Sequence, residues 1–386
     1  MSDVLIAGIG QVPVGEHWEI TLRSLAARAG LAALKDAGSL KPQAMYIGNF
    51  FASMVTHQAN LGALLAENMG LHGIEAYTVE AADASGAAAF RVGYLAVASG
   101  FVDTALVVGV EKATDMVGSD IESHLATATD YDFEAVQGLT TTGLAALVAQ
   151  RYLHEYGVDR GVLAHFPLIA HANGAGNPNA MYRKPIRRDV YDRAELVSDP
   201  LNLFDAAPLA DGAAAVVLTR ADLYRDQPKR PPVRVSGSSV AIDTLALHDR
   251  HDPLAFQAAA VSVERACRQA GILPTDVDFF ELCDSYSIYA LLSLEAAGFA
   301  RRGEGWKLAE TGALERKGSL PILTMGGCKA RGNPAGATGV YQLVEAVQQL
   351  RGEAGANQIP RARRALVQSL GGPASTAVTH VLECVA

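Results

Sequence analysis

Three turns in the 386-residue chain hold residue types that can do chemistry. The first is Val79-Glu80-Ala81-Ala82-Asp83-Ala84-Ser85-Gly86, where an apolar strand runs into a helix of small residues. A side chain at such a junction sits at the positive end of the helix dipole, which favours an anion or an activated nucleophile. Asp83 occupies it, and an aspartate there is equally readable as a helix cap with no chemistry. The second turn, Glu281-Leu282-Cys283-Asp284-Ser285-Tyr286-Ser287-Ile288-Tyr289, offers a thiol, a carboxylate and two phenols behind another apolar strand. A lone buried cysteine is ordinarily a small hydrophobe, so Cys283 also reads as core. The third turn is the glycine-rich Gly326-Gly327-Cys328-Lys329-Ala330-Arg331-Gly332-Asn333-Pro334-Ala335-Gly336-Ala337-Thr338-Gly339. Its glycines imply an unusual backbone or a close ligand. Lys329 and Arg331 stand at the wrong offsets for a phosphate-binding Gly-x-x-x-x-Gly-Lys-Ser/Thr loop. Exposed amides and Asn333 suit an oxyanion hole instead. A last glycine pair, Gly371-Gly372, follows a terminal apolar run.

The elements that must position these turns alternate between strand-like and helix-like patterns, which is α/β architecture. Strands are expected over 4–9, 44–47, 77–80, 104–110 and 213–219, with helices over 22–37, 61–67 and 84–99. The last of these is so rich in small and apolar residues that burial on every side is expected. Residues 116–198 lose periodicity and gain His, Tyr, Asn and Arg, as a substrate-covering insertion would. Asp226-Gln227-Pro228-Lys229-Arg230-Pro231-Pro232 reads as a linker. Beyond it strands are expected over 233–238, 277–282, 364–369 and 376–384, and helices over 255–270, 287–297 and 336–350. The strand, helix, strand order of the first half recurs, which points to a duplicated unit.

Hydrophobic residues make up 49% of the chain and charged ones 19%, so large buried faces and a subunit interface are expected. A net charge of −9 argues against a nucleic-acid binder. No run of eighteen apolar residues or leader segment is evident, and a cytoplasmic protein with no membrane span is expected. Cys267, Cys283, Cys328 and Cys384 are widely spaced, as reduced thiols are, and no metal motif is present.

Several ordered segments together carry a family resemblance. They are residues 79–86, Gly109-Val110-Glu111-Lys112, Asp199-Pro200-Leu201 through Asp211-Gly212-Ala213-Ala214, Asp243-Thr244-Leu245-Ala246-Leu247-His248-Asp249-Arg250, and Gly332-x-Pro334-x-Gly336-Ala337-Thr338-Gly339. The chain resembles the thiolase superfamily, specifically its archaeal and sterol-carrier-protein-x (lipid-transfer) branch. The resemblance implies two similar five-stranded α/β halves stacked as a five-layer αβαβα sandwich with an inserted loop domain. Residues 1–115 with 199–225 would form the N-terminal half, 116–198 the insertion and 233–386 the C-terminal half. It implies a homodimer or homotetramer acting on coenzyme A thioesters, with no covalently bound cofactor. Gly326, Gly327, Gly332, Gly336, Gly371, Gly372 and His248 would contact the coenzyme. A small zinc-ribbon and OB-fold partner protein is also implied, since relatives of this branch often act with one.

The chain departs from that branch at the site itself. Position 83 is there the acyl-accepting cysteine; here it is Asp83. The His-Asp-x-Phe motif, whose histidine helps bind the thioester oxygen, corresponds to Cys283-Asp284-Ser285-Tyr286. The Gly-His-Pro histidine, which activates the nucleophile, corresponds to Asn333. A carboxylate attacking a thioester forms a high-energy mixed anhydride and asparagine shuttles no proton, so ordinary thiolysis should be poor. At a helix start Asp83 is expected to stay ionised. Three readings follow. One is carbon–carbon bond cleavage or formation on an acyl-CoA, of retro-aldol type, with Asp83 as base, Tyr286 or Tyr289 as proton relays, and Asn333 with glycine amides as oxyanion donors. Another is acyl transfer through a relocated Cys283 or Cys328, with a histidine (His154, His165, His171 or His248) brought near by folding. The last is a non-catalytic subunit that binds coenzyme A or scaffolds a partner.

Overall fold

The computed structural model describes residues 3–116, 118–224 and 230–385. The first half contains β1 (Val4–Gln11), α1 (Leu22–Asp36), β2 (Ala44–Gly48), α2 (Ala52–Val55), α3 (Leu61–Asn68), β3 (Glu75–Val79), α4 (Ser85–Ser99) and β4 (Thr104–Glu111). Next come α5 (Ser119–Leu125), α6 (Thr141–Tyr156), α7 (His165–Gly174), α8 (Arg188–Asp192), the small pair β5 (Leu196–Ser198) and β6 (Leu201–Asn202), and then β7 (Gly212–Arg220). The second half contains β8 (Val233–Ile242), α9 (Gln257–Ala270), β9 (Phe279–Glu281), α10 (Ser287–Ala296), α11 (Gly305–Glu310), α12 (Thr338–Arg351), β10 (Arg364–Gly371) and β11 (Thr376–Cys384). The expected linker falls mostly on 226–229, outside the described residues.

Local chemistry sets several of these boundaries. Thr21 caps α1, its hydroxyl accepting from the Ser24 amide at 3.4 Å, and Thr140 caps α6 through the Gly143 amide at 3.0 Å. The region expected to be irregular therefore contains a full 16-residue helix, α6, started by an ordinary cap.

The strands form one nine-stranded sheet in the order β3-β2-β4-β7-β1-β8-β11-β10-β9. Only two residue pairs, Leu5 with Arg234 and Ile6 with Val233, join β1 to β8. On each side of that seam the order repeats. The antiparallel strand β7 lies between β1 and β4, and the antiparallel strand β11 lies between β8 and β10. Parallel neighbours then continue outward, β2 and β3 on one side and β9 on the other. The second half has four strands rather than the expected five: a single bridge from Phe280 to Ile322 stands where the fifth would lie. The Phe280 amide donates to Pro321 there, and proline has no N–H to extend the ladder.

Side-chain alternation divides the core into layers. In β4, Leu106, Val108 and Val110 face α1 and α3, while Ala105 and Val107 face a middle cluster with α4 and α12. In β10, Ala365 and Val367 join the same middle cluster, and Leu366 and Leu370 face α9 and α10. Two sheet halves thus sandwich α4 and α12, with helices outside both, which is the thiolase fold. The expectation that α4 is buried all round is not met: Ala88, Arg91, Val92 and Ala96 are half-buried and Leu95 and Ser99 exposed, a stripe at helical spacing left uncovered, while Tyr94, Val97 and Ala98 on the other faces are buried.

The two central helices approach so closely that side chains are excluded at their crossing. A Cβ on Gly339 would lie 2.5 Å from the Ala87 amide nitrogen, and one on Gly86 would lie 2.8 Å from the Gly336 carbonyl oxygen. Gly339→Ala gains about 1 kcal/mol of helix propensity, but overpacking against backbone costs about 1–3 kcal/mol. The clash wins, and thermal unfolding of Gly339→Ala is expected at a lower temperature than that of the parent chain. An unchanged or higher midpoint would contradict the tight crossing.

Candidate active site

The three turns converge at the crossing of α4 and α12. Asp83 lies in a 3₁₀ turn, Ala82–Ala84, that leads into α4. The capping work there belongs to Ser85, whose hydroxyl accepts from the Ala81 amide at 2.9 Å and donates to the Ala82 carbonyl at 2.5 Å. No side chain caps α4 at Ala84, and the Asp83 carboxyl takes a hydrogen bond from its own backbone amide. It lines a cavity of about 50 Å³ together with Cys283, Tyr286, Tyr289, Asn333 and Gly372, closed by Leu125, Thr141, Leu209 and Leu370. By sequence Asp83 is expected to stay ionised; burial pushes its carboxyl up to about 6, with a smaller push from the Glu80 charge, which still leaves it largely ionised at neutral pH. Desolvation outweighs the backbone hydrogen bond that favours the anion.

Glu111, at the end of β4, holds the surrounding backbone. Its carboxylate accepts from the Asn49 amide group at 2.7 Å and from the backbone amides of Phe50, Phe51 and Gly336 at 3.0, 3.1 and 3.1 Å. Burial pushes this group up to about 8 despite the three backbone amides. The Gly336 amide is therefore committed to Glu111 and is not among the glycine amides left for an oxyanion.

The second and third turns are tied by Asp284, which accepts from the backbone amides of Cys328 at 2.6 Å and Lys329 at 3.3 Å. A Cβ at Gly327 would lie 2.6 Å from both carboxylate oxygens, so only glycine fits. Cys283 Sγ lies 3.3 Å from Ser285 Oγ, and a hydrogen bond with Cys328 draws its thiol below the usual range against the pull of burial. Cys328 is displaced in the opposite direction, well above its usual range, and does not line the cavity. Of the two thiols, only Cys283 is placed to react. Tyr286 Oη meets the hydroxyls of Thr141 at 3.1 Å and Thr142 at 3.0 Å, and its ring stands edge-on to Tyr289 at 5.1 Å. Burial pushes the Tyr286 phenol up to about 12 and raises that of Tyr289 as well, so both remain proton donors.

Asn333 is anchored on both sides. Its amide donates to Pro208 O at 2.9 Å and its carbonyl accepts from Ala210 N at 3.1 Å. Thr338 Oγ1 donates to its Oδ1 at 2.8 Å, and Nδ2 has no partner among the described residues. The cavity lining thus includes both an unused amide donor and a carboxyl group, a pairing that suits proton abstraction with oxyanion stabilisation.

Gly326, Gly327, Gly332, Gly336 and Gly371 shape the turns rather than line this cavity; Gly372 alone of the expected glycines lines it. His248 is half-exposed, 3.4 Å from Glu134, and none of His154, His165, His171 or His248 lines the cavity. Sequence reasoning missed the roles of Glu111, Thr141 and Thr142. A glutamate closing the fully apolar strand 104–110 was the available signal for Glu111; nothing marked the threonines. Among the described residues no group of three or more His, Cys, Asp or Glu side chains is placed to hold a metal ion.

The raised Asp83 fixes the sign of a stability effect. Its carboxylate is disfavoured in the fold, so the native state is penalised wherever that group is ionised. Asp83→Asn is expected to stabilise the chain by about 3 kcal/mol near pH 7. The gain fades as pH falls through 6 and is gone below about 4. Urea unfolding at pH 4 and pH 7.5 reads it, and a destabilised Asp83→Asn at pH 7.5 would contradict it.

Comparison with known proteins agrees with this architecture. Residues 4–222 match the family described as "Thiolase, N-terminal domain" and residues 239–384 that described as "Thiolase C-terminal domain-like". The chain is 40% identical over 383 residues to an acetyl-CoA acetyltransferase of Methanothermobacter thermautotrophicus, covering 99% of both chains. It is 30% identical to the benzoylsuccinyl-CoA thiolase subunit BbsB of Thauera aromatica, covering 99% of this chain and 98% of that one. Among solved structures, the "Ltp2-ChsH2(DUF35) aldolase" superposes with a TM-score of 0.86 at 24% identity, over 99% of this chain and 98% of that one. With both halves matched and the relatives aligned almost end to end, the chain belongs to the thiolase family.

Proposed function

We propose that this member of a family of acyl-CoA acyltransferases makes or breaks a carbon–carbon bond on an acyl-CoA without an acyl-cysteine, in the retro-aldol sense. The reading takes Asp83 to stand where the family's nucleophilic cysteine would. The observation that carries it is the shared cavity of Asp83, with its carboxyl near 6, and the unpartnered Asn333 amide. On a 3-hydroxyacyl-CoA, Asp83 takes the hydroxyl proton and the C2–C3 bond breaks, its electrons moving into the thioester enolate. The C3 fragment leaves as a carbonyl compound. Asn333 Nδ2 stabilises the enolate oxygen, and Tyr286 or Tyr289 relays a proton back to C2, releasing the shortened acyl-CoA. A carboxyl group suits this role and not acyl transfer, since an anhydride intermediate would lie above the thioester that forms it. An aldolase among the structural neighbours is consistent with such chemistry on this fold.

A second reading, residual acyl transfer, is favoured by the lowered thiol of Cys283 on the same cavity wall. A third, a non-catalytic subunit, requires only coenzyme A binding. We further propose a homodimer or homotetramer, with the exposed Tyr77 on β3 and Leu95 on α4 in its interface. A small zinc-ribbon and OB-fold partner is proposed by analogy with the solved neighbour, whose name pairs Ltp2 with ChsH2(DUF35). A cytoplasmic location completes the proposal; no helix of the described residues is long and apolar enough to cross a membrane.

Mass spectrometry of coenzyme A esters, after incubation with 3-hydroxyacyl- and 3-ketoacyl-CoA plus free coenzyme A, separates the readings. Cleavage of the hydroxyacyl ester alone is expected. Asp83→Asn should slow it by about 10²–10⁴-fold, while Cys283→Ala changes it by less than tenfold. The rate should rise with pH through about 6 as Asp83 becomes the ionised base. Coenzyme A-dependent cleavage of the ketoacyl ester, lost in Cys283→Ala, would replace this reading with the second. Binding of coenzyme A with no cleavage of either ester would favour the third.

A further inference from the structure

A second, larger cavity of about 840 Å³ is bordered by Ala206, Ala207 and Pro208. Ala207 lines both this cavity and the Asp83 site. The volume is that of a site for a drug-sized ligand, and the walls are largely apolar, with Phe204, Ile186 and Leu203 among them. Two buried polar side chains break that lining. Lys329 is 2% exposed, and its ammonium makes one hydrogen bond, to the Asp205 carbonyl at 2.6 Å. An ammonium has three donors, and no carboxylate forms an ion pair with this one among the described residues. The acidic groups near it are engaged elsewhere. The Asp205 carboxylate accepts from Tyr191 Oη and the Asn202 amide, and that of Asp284 from the two backbone amides of the third turn. His171 is 7% exposed, and its Nδ1 is buried without a hydrogen-bond partner.

A lysine this deeply buried is rarely left unpaired, because removing its charge from water costs several kcal/mol unless a counter-charge is supplied. Burial draws the Lys329 ammonium below its usual range, and burial likewise lowers His171, whose neutral ring has a single N–H that is given to the Lys184 backbone. Arg183 and Lys184, exposed in the same lining, add positive charge at the mouth. An apolar cavity with a buried cation and two further cations in its lining is complementary to an anion carried on a hydrocarbon.

We infer that this cavity binds an organic carboxylate on an apolar body, its carboxylate received by Lys329. The binding claim stands without the reaction proposed for the Asp83 cavity. The carboxylate has two possible sources, a free amphipathic acid or the far end of an acyl group whose thioester lies in the neighbouring site.

Calorimetric titration of the full chain with octanoate and with octanamide tests the claim. Octanoate should bind at least tenfold more tightly than octanamide. Lys329→Met, which keeps the length of the side chain, should abolish that preference while leaving octanamide affinity within a few-fold. Should Lys329→Met fail to fold, Lys329→Gln serves in its place, with the same loss of preference. Equal binding of acid and amide, binding of neither at millimolar concentration, or a preference that survives in the folded variants would overturn the inference. The same titration with suberyl-CoA and octanoyl-CoA identifies the source. A Lys329-dependent preference for suberyl-CoA supports an acyl group bearing a second carboxylate. Its absence, with the octanoate preference intact, supports a free acid.

Discussion

The site depends on one buried carboxylate that gathers backbone from distant parts of the chain. Glu111 ends β4 and receives the amides of Phe50 and Phe51 from the first half and of Gly336 from the second. Burying an anion there is costly, as its upward displacement to about 8 reports. Three backbone amides and the Asn49 side chain offset that cost, and each would otherwise be a buried donor without an acceptor. The reward is geometric. The turn that presents Asn333 is fixed to the strand end beside the loop that presents Asp83, although the two are separated by 250 positions in the sequence.

The same device recurs across the third turn. Asp284 accepts from the amides of Cys328 and Lys329, and Glu281 accepts from Thr324 N at 3.0 Å. Arg331, 1% exposed at its side chain, is paired with the equally buried Glu345 at 2.7 Å. A turn held mainly by buried ionic contacts is rigid but poorly tolerant of single changes, since removing one partner strands the other. Such rigidity lets a glycine-rich segment, with positive φ at Gly326, Gly327 and Gly332, keep a definite shape. Flexible glycines therefore serve a fixed surface, which is what preorganised hydrogen-bond donors need.

Against this background Lys329 stands apart. Arg331, two residues on, has its carboxylate; Lys329 has a carbonyl. The contrast within one turn separates a structural cation from one whose charge is still available. The small and large cavities differ in the same way, one lined by acid, amide and phenol, the other by hydrocarbon and positive charge.

Much of the fold was legible in the sequence because it follows from local periodicity. The apolar runs of β1, β4, β7, β10 and β11 and the amphipathic stretches of α1, α9 and α12 announce themselves, and the family resemblance supplied their arrangement. So too with the three chemistry-bearing turns: Asp83, Cys283, Tyr286, Tyr289 and Asn333 were identifiable by type and spacing, and they share one cavity. What tertiary structure alone decided was environment. Asp83 by sequence is an ionised residue at a helix start; by burial it is a carboxyl near 6. Cys283 and Cys328 are both nucleophile candidates by sequence, and the fold puts only Cys283 on the cavity wall. Gly336 offers an amide by sequence and gives it to Glu111 in the fold. Residue identity is local, whereas desolvation and hydrogen-bond allocation are set by neighbours hundreds of positions away, and those neighbours determine how each group ionises and bonds.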